Sequence, residues 1–230
     1  MDSTDISGFR ILSLIKRNVM LLLSLFFLAL GVALCVRSDL GSSVISSAPY
    51  AFYLAGEQGK APGWSLGMYT NVLNVLLVMS QIAVLRRRYR PVQLLQLFIG
   101  VVFGMLIDIS MVITEVVGGD NLLFRFIVMV AGCTLMALGV SMEMRCGSIT
   151  MPGEGLPAAL SKITGKPFAD MKIITDISLV MLAIGASYLF FGHWMWNVVG
   201  AGTLFAMIYI GMAVKRISRH LTWLDHLLGR

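Results

Sequence analysis

The sequence predicts an all-α membrane protein with six transmembrane helices, arranged as a 3+3 inverted-topology repeat with two short broken, re-entrant segments. Three observations lead to this fold class. The 230 residues are 57% hydrophobic and 13% charged, whereas soluble domains carry roughly 25% charged residues. Long apolar runs recur along the chain, and no polar block between them is large enough for a soluble enzyme domain. Finally, parts of the first half of the chain resemble parts of the second.

Six apolar runs are long enough to cross about 30 Å of hydrocarbon at about 1.5 Å per helical residue. The first run lacks a small-residue cleavage site and exceeds a signal-peptide core of about 7–15 residues, so it should remain as a span. The predicted spans are 18–36, 65–85, 93–115, 122–143, 172–191 and 196–214. Residues 1–17 then form an N-terminal segment and residues 215–230 an amphipathic tail.

Basic residues orient these spans. With the N-terminus in the cytoplasm, all of the 18 Lys and Arg residues except Arg37, Lys60 and Arg125 fall on the cytoplasmic side. The positive-inside rule therefore predicts that both termini are cytoplasmic. The same rule explains the basic run from Arg86 to Arg90 as a stop-transfer cluster, so no nucleic-acid partner is expected.

Two short stretches fit neither spans nor ordinary loops. Residues 43–56 and 148–161 are too short to cross a membrane as helices, and their length is typical of re-entrant or interfacial segments. Pro, Ser or Gly residues interrupt both, so neither is expected to be a plain helix throughout. Irregular backbone at membrane depth occurs only where it is buried in protein or lines a water-filled cavity. The alternative is that both stretches lie flat on opposite membrane surfaces.

An internal repeat relates the two halves of the chain. Residues 28–32 (LALGV) match residues 136–140 (MALGV) at an offset of 108, and residues 100–105 match 202–207 at an offset of 102. The offset of 108 also pairs residues that apolar composition does not explain: Arg37 with Arg145, and Pro49 with Pro157.

Each predicted half holds three spans, so the second half would enter the membrane from the opposite side. The halves are residues 18–115 and 122–214, and their broken segments are 38–56 and 146–161. Many secondary transporters use such an inverted repeat, and paired interrupted segments point to the binding site in them.

Several features resemble the YczE/YyaS/YitT group of bacterial membrane proteins. They are the Leu-Gly-Val span, the stretch Arg37-Ser38-Asp39-Leu40-Gly41-Ser42-Ser43 that follows it, and the later Gly-x-x-Phe element with Asp108. The resemblance covers roughly residues 18–214. Members of that group are generally regarded as transporters or permeases, so the resemblance implies a multi-pass protein of the bacterial inner membrane that acts in transport. This chain departs from the group's usual Pro-Trp-type continuation after Leu40-Gly41, so no substrate is carried over.

Candidate solute-binding residues lie in and around the two broken segments. Arg37 and Arg145 each close the first span of their half, and a guanidinium suits bidentate capture of carboxylate, sulfonate or phosphate. Half-helix N-termini nearby would add positive dipole ends, which favours a small anionic or zwitterionic solute. Alternatively, each Arg reaches its own membrane interface. The other candidates in these segments are Ser42, Ser43, Pro49, Thr150, Glu154 and Pro157. Asn71 and Asn74 share a face of the second span and are candidates too, unless they serve as packing contacts between spans.

Acidic residues inside spans are costly and by default mark function. Asp108 in the third span and Asp176 in the fifth are therefore the candidate ion-coupling residues. Two alternatives remain open: a hydrogen-bonded buried acid at Asp108, and an acid that favours its helix N-terminus at Asp176. Glu143 is expected to pair with Arg145 or to reach water.

The sequence contains no Walker A, H-E-x-x-H or G-x-S-x-G motif, and its three cysteines lack metal-site spacing. No catalytic residue, metal or cofactor is therefore predicted. We expect a secondary transporter or facilitator of a small polar solute that works by alternating access. Its expected partners are the lipid bilayer and the solute, and homo-oligomerisation is left open. The alternatives are a substrate-capture membrane subunit that needs partner proteins, and a membrane assembly factor.

Overall fold

The computed structural model describes residues 3–146, 150–221 and 224, with side-chain surroundings given from residue 15 onward. Every regular element in these residues is helical, and the longer helices are joined by loops and two 3₁₀ turns. In chain order the helices are α1 (Ser3–Arg37), α2 (Val44–Glu57), α3 (Leu66–Leu85), α4 (Leu95–Ile113), α5 (Leu122–Cys146), α6 (Pro152–Thr164), α7 (Phe168–Phe191) and α8 (Ala201–His220).

Five helical segments among the described residues are long and apolar enough to cross a membrane. They are Ile15–Arg37, Leu66–Arg88, Pro91–Ile113, Leu122–Cys146 and Phe168–Phe191. These segments correspond to the first five predicted spans and define a multi-pass membrane protein. The predicted span 196–214 corresponds to α8, which begins at Ala201 and continues through the basic residues Lys215 and Arg216. The count of six spans therefore stays a prediction.

The two short segments are helices that run through their prolines, which differs from the expectation that proline would interrupt them. Pro49 lies inside α2 and Pro157 inside α6. Each proline is the sixth residue of its helix, so its missing N–H removes one intrahelical hydrogen bond, to the carbonyl group four residues earlier. The loss falls close to the helix N-terminus, where the first four N–H groups have no intrahelical partner in any case. The non-helical backbone lies before each helix, at residues 38–43 and 150–151, and residues 147–149 of the second segment lie outside the described residues.

A close crossing of α1 and α5 forms the centre of the bundle. A Cβ atom on Gly31 would lie 2.6 Å from the carbonyl oxygen of Gly132, and one on Gly139 would lie 2.7 Å from the carbonyl oxygen of Ser24. Side chains at these two glycines would therefore push the helices apart. Small residues at helix interfaces allow this kind of close backbone approach in membrane proteins.

The remaining helices pack around this crossing. α4 packs on α1, and α8 packs on α5; α2 contacts α3 and α7, and α6 contacts the same two helices. α3 and α4 are also tightly packed, because Gly67 on α3 faces the backbone of Gly104 on α4. α7 and α8 make little contact along their lengths, and a cavity lies between them.

Candidate functional site

The central cavity has a volume of about 400 Å³ and lies between α7 and α8, with α5 and α6 beside it. It reaches the crossing of α1 and α5, where Leu28 and Met136 line it. Most of its walls are aliphatic, methionine or phenylalanine side chains. The polar and charged side chains among the described lining residues are Ser43, Glu143, Glu154, Lys172 and Asp176. A mostly apolar cleft with a few convergent polar groups is the usual form of a small-molecule site.

Lys172 bridges two of these carboxylates. Its Nζ atom lies 3.0 Å from Oδ1 of Asp176, one turn further along α7, and 3.3 Å from Oε1 of Glu154 on α6. The Asp176 side chain is 15% exposed, and the other two are near 30%. A pair at this i,i+4 spacing lies on one face of a helix, so α7 presents both charges to the cavity and to Glu154.

Glu143 is the most buried carboxylate of the cavity, at 5% exposure. Its Oε1 atom accepts a 2.8 Å hydrogen bond from the backbone N–H of Met151, the residue that precedes α6. A carboxylate at this place offsets the positive end of the helix dipole. The sequence expectation was that Glu143 pairs with Arg145 or reaches water. Residues two apart on a helix do not face each other, and the contact that the structure shows is with the N–H of Met151. The cost of an acid inside a span was the signal for this residue.

Arg37 and Arg145 bind helix C-termini and are absent from the described lining of the central cavity. The Nη2 atom of Arg37 donates to the carbonyl oxygen of Met111 near the end of α4, at 2.9 Å. Nη2 of Arg145 donates to the carbonyl oxygen of Ser218 near the end of α8. Cations are stabilised at helix C-termini by the dipole and by unpaired carbonyl groups. These contacts place the two guanidiniums at helix ends rather than in the central cavity.

A second cavity of about 340 Å³ lies at the end of the bundle where α1 and α4 end. Its lining includes Arg37, Glu57, Glu115, Asp120 and Arg125. These charged side chains distinguish it from the central cavity, whose walls are mostly apolar.

The serines before α2 are buried beside the central cavity. The Ser42 hydroxyl donates to the carbonyl oxygen of Val198 at 2.9 Å, which ties the turn before α2 to the loop before α8. The hydroxyl groups of Ser43 and Ser46 are hydrogen-bonded to each other at 2.6 Å. Of Ser42 and Ser43, Ser43 lines the central cavity.

Asn71 and Asn74 face α4 rather than the central cavity. A Cβ on Gly104 would lie 2.5 Å from the amide of Asn71, and one on Gly100 would lie 3.1 Å from Nδ2 of Asn74. Asn74 is 2% exposed, and neither polar atom of its amide has a hydrogen-bond partner among the described residues. We refer to these four residues together with Gly67 as the α3–α4 interface.

The two prolines and Thr150 contribute no side chain to the described lining of the central cavity. Pro49 and Pro157 are buried inside α2 and α6, and Thr150 is exposed. Of the sequence-predicted candidates, the central cavity therefore brings together Ser43, Glu154 and Asp176.

Asp108 holds the N-terminus of α3. Its Oδ2 atom accepts a 2.7 Å hydrogen bond from the hydroxyl of Ser65, the N-cap residue, and its Oδ1 atom accepts a 2.8 Å hydrogen bond from the N–H of Gly67. A carboxylate is well suited to this place, because the first N–H groups of a helix have no intrahelical acceptor. This geometry favours the interpretation of Asp108 as a hydrogen-bonded structural acid.

We expect Asp108→Ala to lower the stability of the folded protein by about 1–3 kcal/mol, the usual cost of removing hydrogen bonds to a charged group. Thermal unfolding in detergent measures this change. The double variant with Ser65→Ala should be less destabilised than the sum of the two single variants, because both remove the same cap. Equal stability of Asp108→Ala and the wild type would contradict the capping role.

Fold and site together define a multi-pass helical membrane protein with a charged internal cavity. Residues 15–219 match the model of a family of unknown function, DUF6198, and the protein belongs to that family. The match includes the lining of the central cavity. Comparisons with curated proteins and with solved structures give no match.

Proposed function

We propose that this protein is a secondary transporter or facilitator that moves a small polar solute across the bacterial inner membrane by alternating access. One observation carries the proposal. The central cavity separates α7 from α8, whereas the corresponding helices of the first half, α3 and α4, are packed against each other. Such a difference between related halves is expected when one of two access states is occupied.

This argument requires the two halves to be equivalent, and the helix contacts support a 3+3 inverted repeat with α8 as the sixth span. Exchanging α1 with α5, α2 with α6, α3 with α7 and α4 with α8 leaves the main helix pairs unchanged, except for α3–α4. The exchange also holds for single contacts at the central crossing. A Cβ on Gly31 would meet Met136, and one on Gly139 would meet Leu28, which is the same contact at the offset of 108.

The α3–α4 interface contains a buried polar group that would gain hydrogen-bond partners if the two helices separated. The Asn74 amide is buried there, with no hydrogen-bond partner in the part of the chain that the structure describes, and leaving buried polar groups unpaired is costly. Opening the interface would give this amide water or solute as a partner. The two access states would thus differ in which pair of helices, α3–α4 or α7–α8, is closed.

In this proposal a charged residue couples transport to a proton or ion gradient, because the sequence contains no ATP-binding motif. Asp176 lines the central cavity and is paired with Lys172, so it is our candidate for coupling to a proton or ion. The arrangement of basic residues supports cytoplasmic termini, and the likeness to the YczE/YyaS/YitT group supports transport. A capture subunit that needs partners is the competing function.

Flux by the purified protein tests this proposal. The protein is reconstituted in liposomes with an imposed pH gradient, and uptake of radiolabelled amines, amino acids and sulfonates is measured. We expect uptake of at least one compound above the level of empty liposomes, and no pH-driven uptake of it by Asp176→Asn. Binding without uptake of any compound would instead favour the capture subunit. Equal pH-driven uptake by Asp176→Asn would contradict coupling through this residue.

A further inference from the structure

We infer that the central cavity binds a solute with an ammonium group on an apolar body, and that the ammonium is held by the carboxylates of Glu154 and Asp176. This inference rests on the proposed function and names its substrate class. It revises the sequence expectation of an anionic or zwitterionic solute. Four features of the cavity carry it: its net charge, the position of the arginines, its free carbonyl groups and its walls.

The charged residues of the cavity carry excess negative charge. Three carboxylates, Glu143, Glu154 and Asp176, face a single ammonium, Lys172, among the described lining residues. Lys172 contacts two of them, Glu154 and Asp176, and Glu143 accepts a backbone N–H instead. The positive charge of Lys172 therefore does not balance the three carboxylates. Carboxylates enclosed in a mostly apolar cavity are costly unless an opposite charge or a proton compensates them. A solute cation supplies that charge.

The features that favoured an anion are engaged elsewhere. Arg37 and Arg145 donate to the ends of α4 and α8, and Glu143 already caps the N-terminus of α6. The N-terminus of α2, at Ser43, remains beside the cavity. A helix end is equivalent to roughly half a positive charge, which is too little to reverse the sign set by the carboxylates.

Backbone acceptors add to the preference for a donor-bearing group. Pro49 and Pro157 have no N–H, so the carbonyl groups of Ile45 and Gly153, four residues earlier, lose their intrahelical donors. Both of these residues line the central cavity. An ammonium has three N–H donors for such oxygens, whereas a carboxylate has none.

The walls define the rest of the solute. Phe103, Phe168 and Met207 are among the apolar residues that line the cavity, and aromatic faces attract cations as well as apolar groups. Lys172 itself illustrates the fit, since it places an alkyl stem in the cavity and an ammonium between Glu154 and Asp176. A solute ammonium would displace Lys172 from Glu154 and share the Asp176 carboxylate with Lys172, its i,i+4 partner.

Binding to the purified full-length protein tests the inference with four compounds of similar size. They are phenethylamine as the ammonium, phenylalanine as the zwitterion, 3-phenylpropionate as the anion and 2-phenylethanol as the neutral compound. Calorimetric titration in detergent measures affinity without requiring transport. We expect phenethylamine to bind the wild type at least tenfold more tightly than the anion or the neutral compound. Equal or tighter binding of either of these, or no binding of phenethylamine, would overturn the inference.

Variants locate the bound ammonium. Glu154→Gln and Asp176→Asn are nearly isosteric, and each should weaken phenethylamine binding at least tenfold. Glu57→Gln is the matched control, because it removes one negative charge from the second cavity and should leave the affinity unchanged. Equal affinity in all three variants would overturn the assignment. Gel filtration shows which variants fold, and one folded variant at either carboxylate suffices for the comparison.

The outcome for transport is separate. Binding of phenethylamine that depends on Glu154, without flux of any compound, would support the inference and contradict the proposed transport. Flux of an anion without binding of phenethylamine would support the proposed transport and overturn the inference.

Discussion

A disulfide between Asn74→Cys and Gly100→Cys is expected to abolish solute flux while leaving solute binding intact. The two substituted residues belong to the α3–α4 interface, where a Cβ on Gly100 would lie 3.3 Å from Cβ of Asn74. This separation is close to the roughly 3.5–4.5 Å found in disulfides. The bond would hold α3 against α4, so the second access state could not form, but the central cavity between α7 and α8 would remain accessible.

The experiment is made in a background in which Cys35, Cys133 and Cys146 are replaced by alanine. Flux is compared before and after oxidation, and mass spectrometry shows how much disulfide has formed. A reducing agent should restore the flux, and each single-cysteine variant should be insensitive to the oxidant. Unchanged flux in fully cross-linked protein would show that α3 and α4 need not separate, which would remove the main support for alternating access.

The spans were predictable because a membrane leaves a strong compositional signal. A helix that crosses hydrocarbon needs about 20 mostly apolar residues, and the first five predicted runs agree with helices of the structure to within a few residues. α8 begins at residue 201 rather than 196 because a loop precedes it. The N–H groups of Ser42 and Gly202 donate to the carbonyl oxygens of Val198 and Leu40, which pairs this loop with the turn before α2. Such backbone pairing over long range leaves no mark on local hydropathy.

The direction of side chains was the part that composition could not give. Glu143 and Arg145 are two residues apart, yet one reaches the N-terminus of α6 and the other the end of α8. The sequence placed Lys172 at the cytoplasmic end of the fifth predicted span but did not indicate its partners, which the structure shows to be Glu154 and Asp176. The positive charge that we infer for the solute rests on the directions of these side chains. It could therefore be argued only after the structure showed which charged groups share the cavity.

Substitution of Gly139 by leucine is expected to destabilise the folded protein strongly by forcing apart the centre of the bundle. A Cβ at this position would lie 2.7 Å from the carbonyl oxygen of Ser24 and 2.9 Å from the backbone nitrogen of Leu28. Because backbone atoms cannot rotate away as a side chain can, α1 and α5 would have to separate. Overpacking of a well-packed interior typically costs about 1–3 kcal/mol, and here it would also displace the helices that frame the central cavity.

Gly185→Leu is the matched control, because Gly185 lies on α7, another membrane-spanning helix, and no atom comes within 4 Å of a Cβ placed there. Both variants add the same side chain, so a general effect of hydrophobicity would appear in both. We expect Gly139→Leu to elute as aggregate or to unfold at a clearly lower temperature, and Gly185→Leu to match the wild type in gel filtration and thermal unfolding. Equal stability of the two variants would mean that α1 and α5 do not depend on close backbone contact. Gly31 and Gly139 occupy equivalent positions of the proposed repeat. Their equivalence would then no longer support the proposal that the two halves are related.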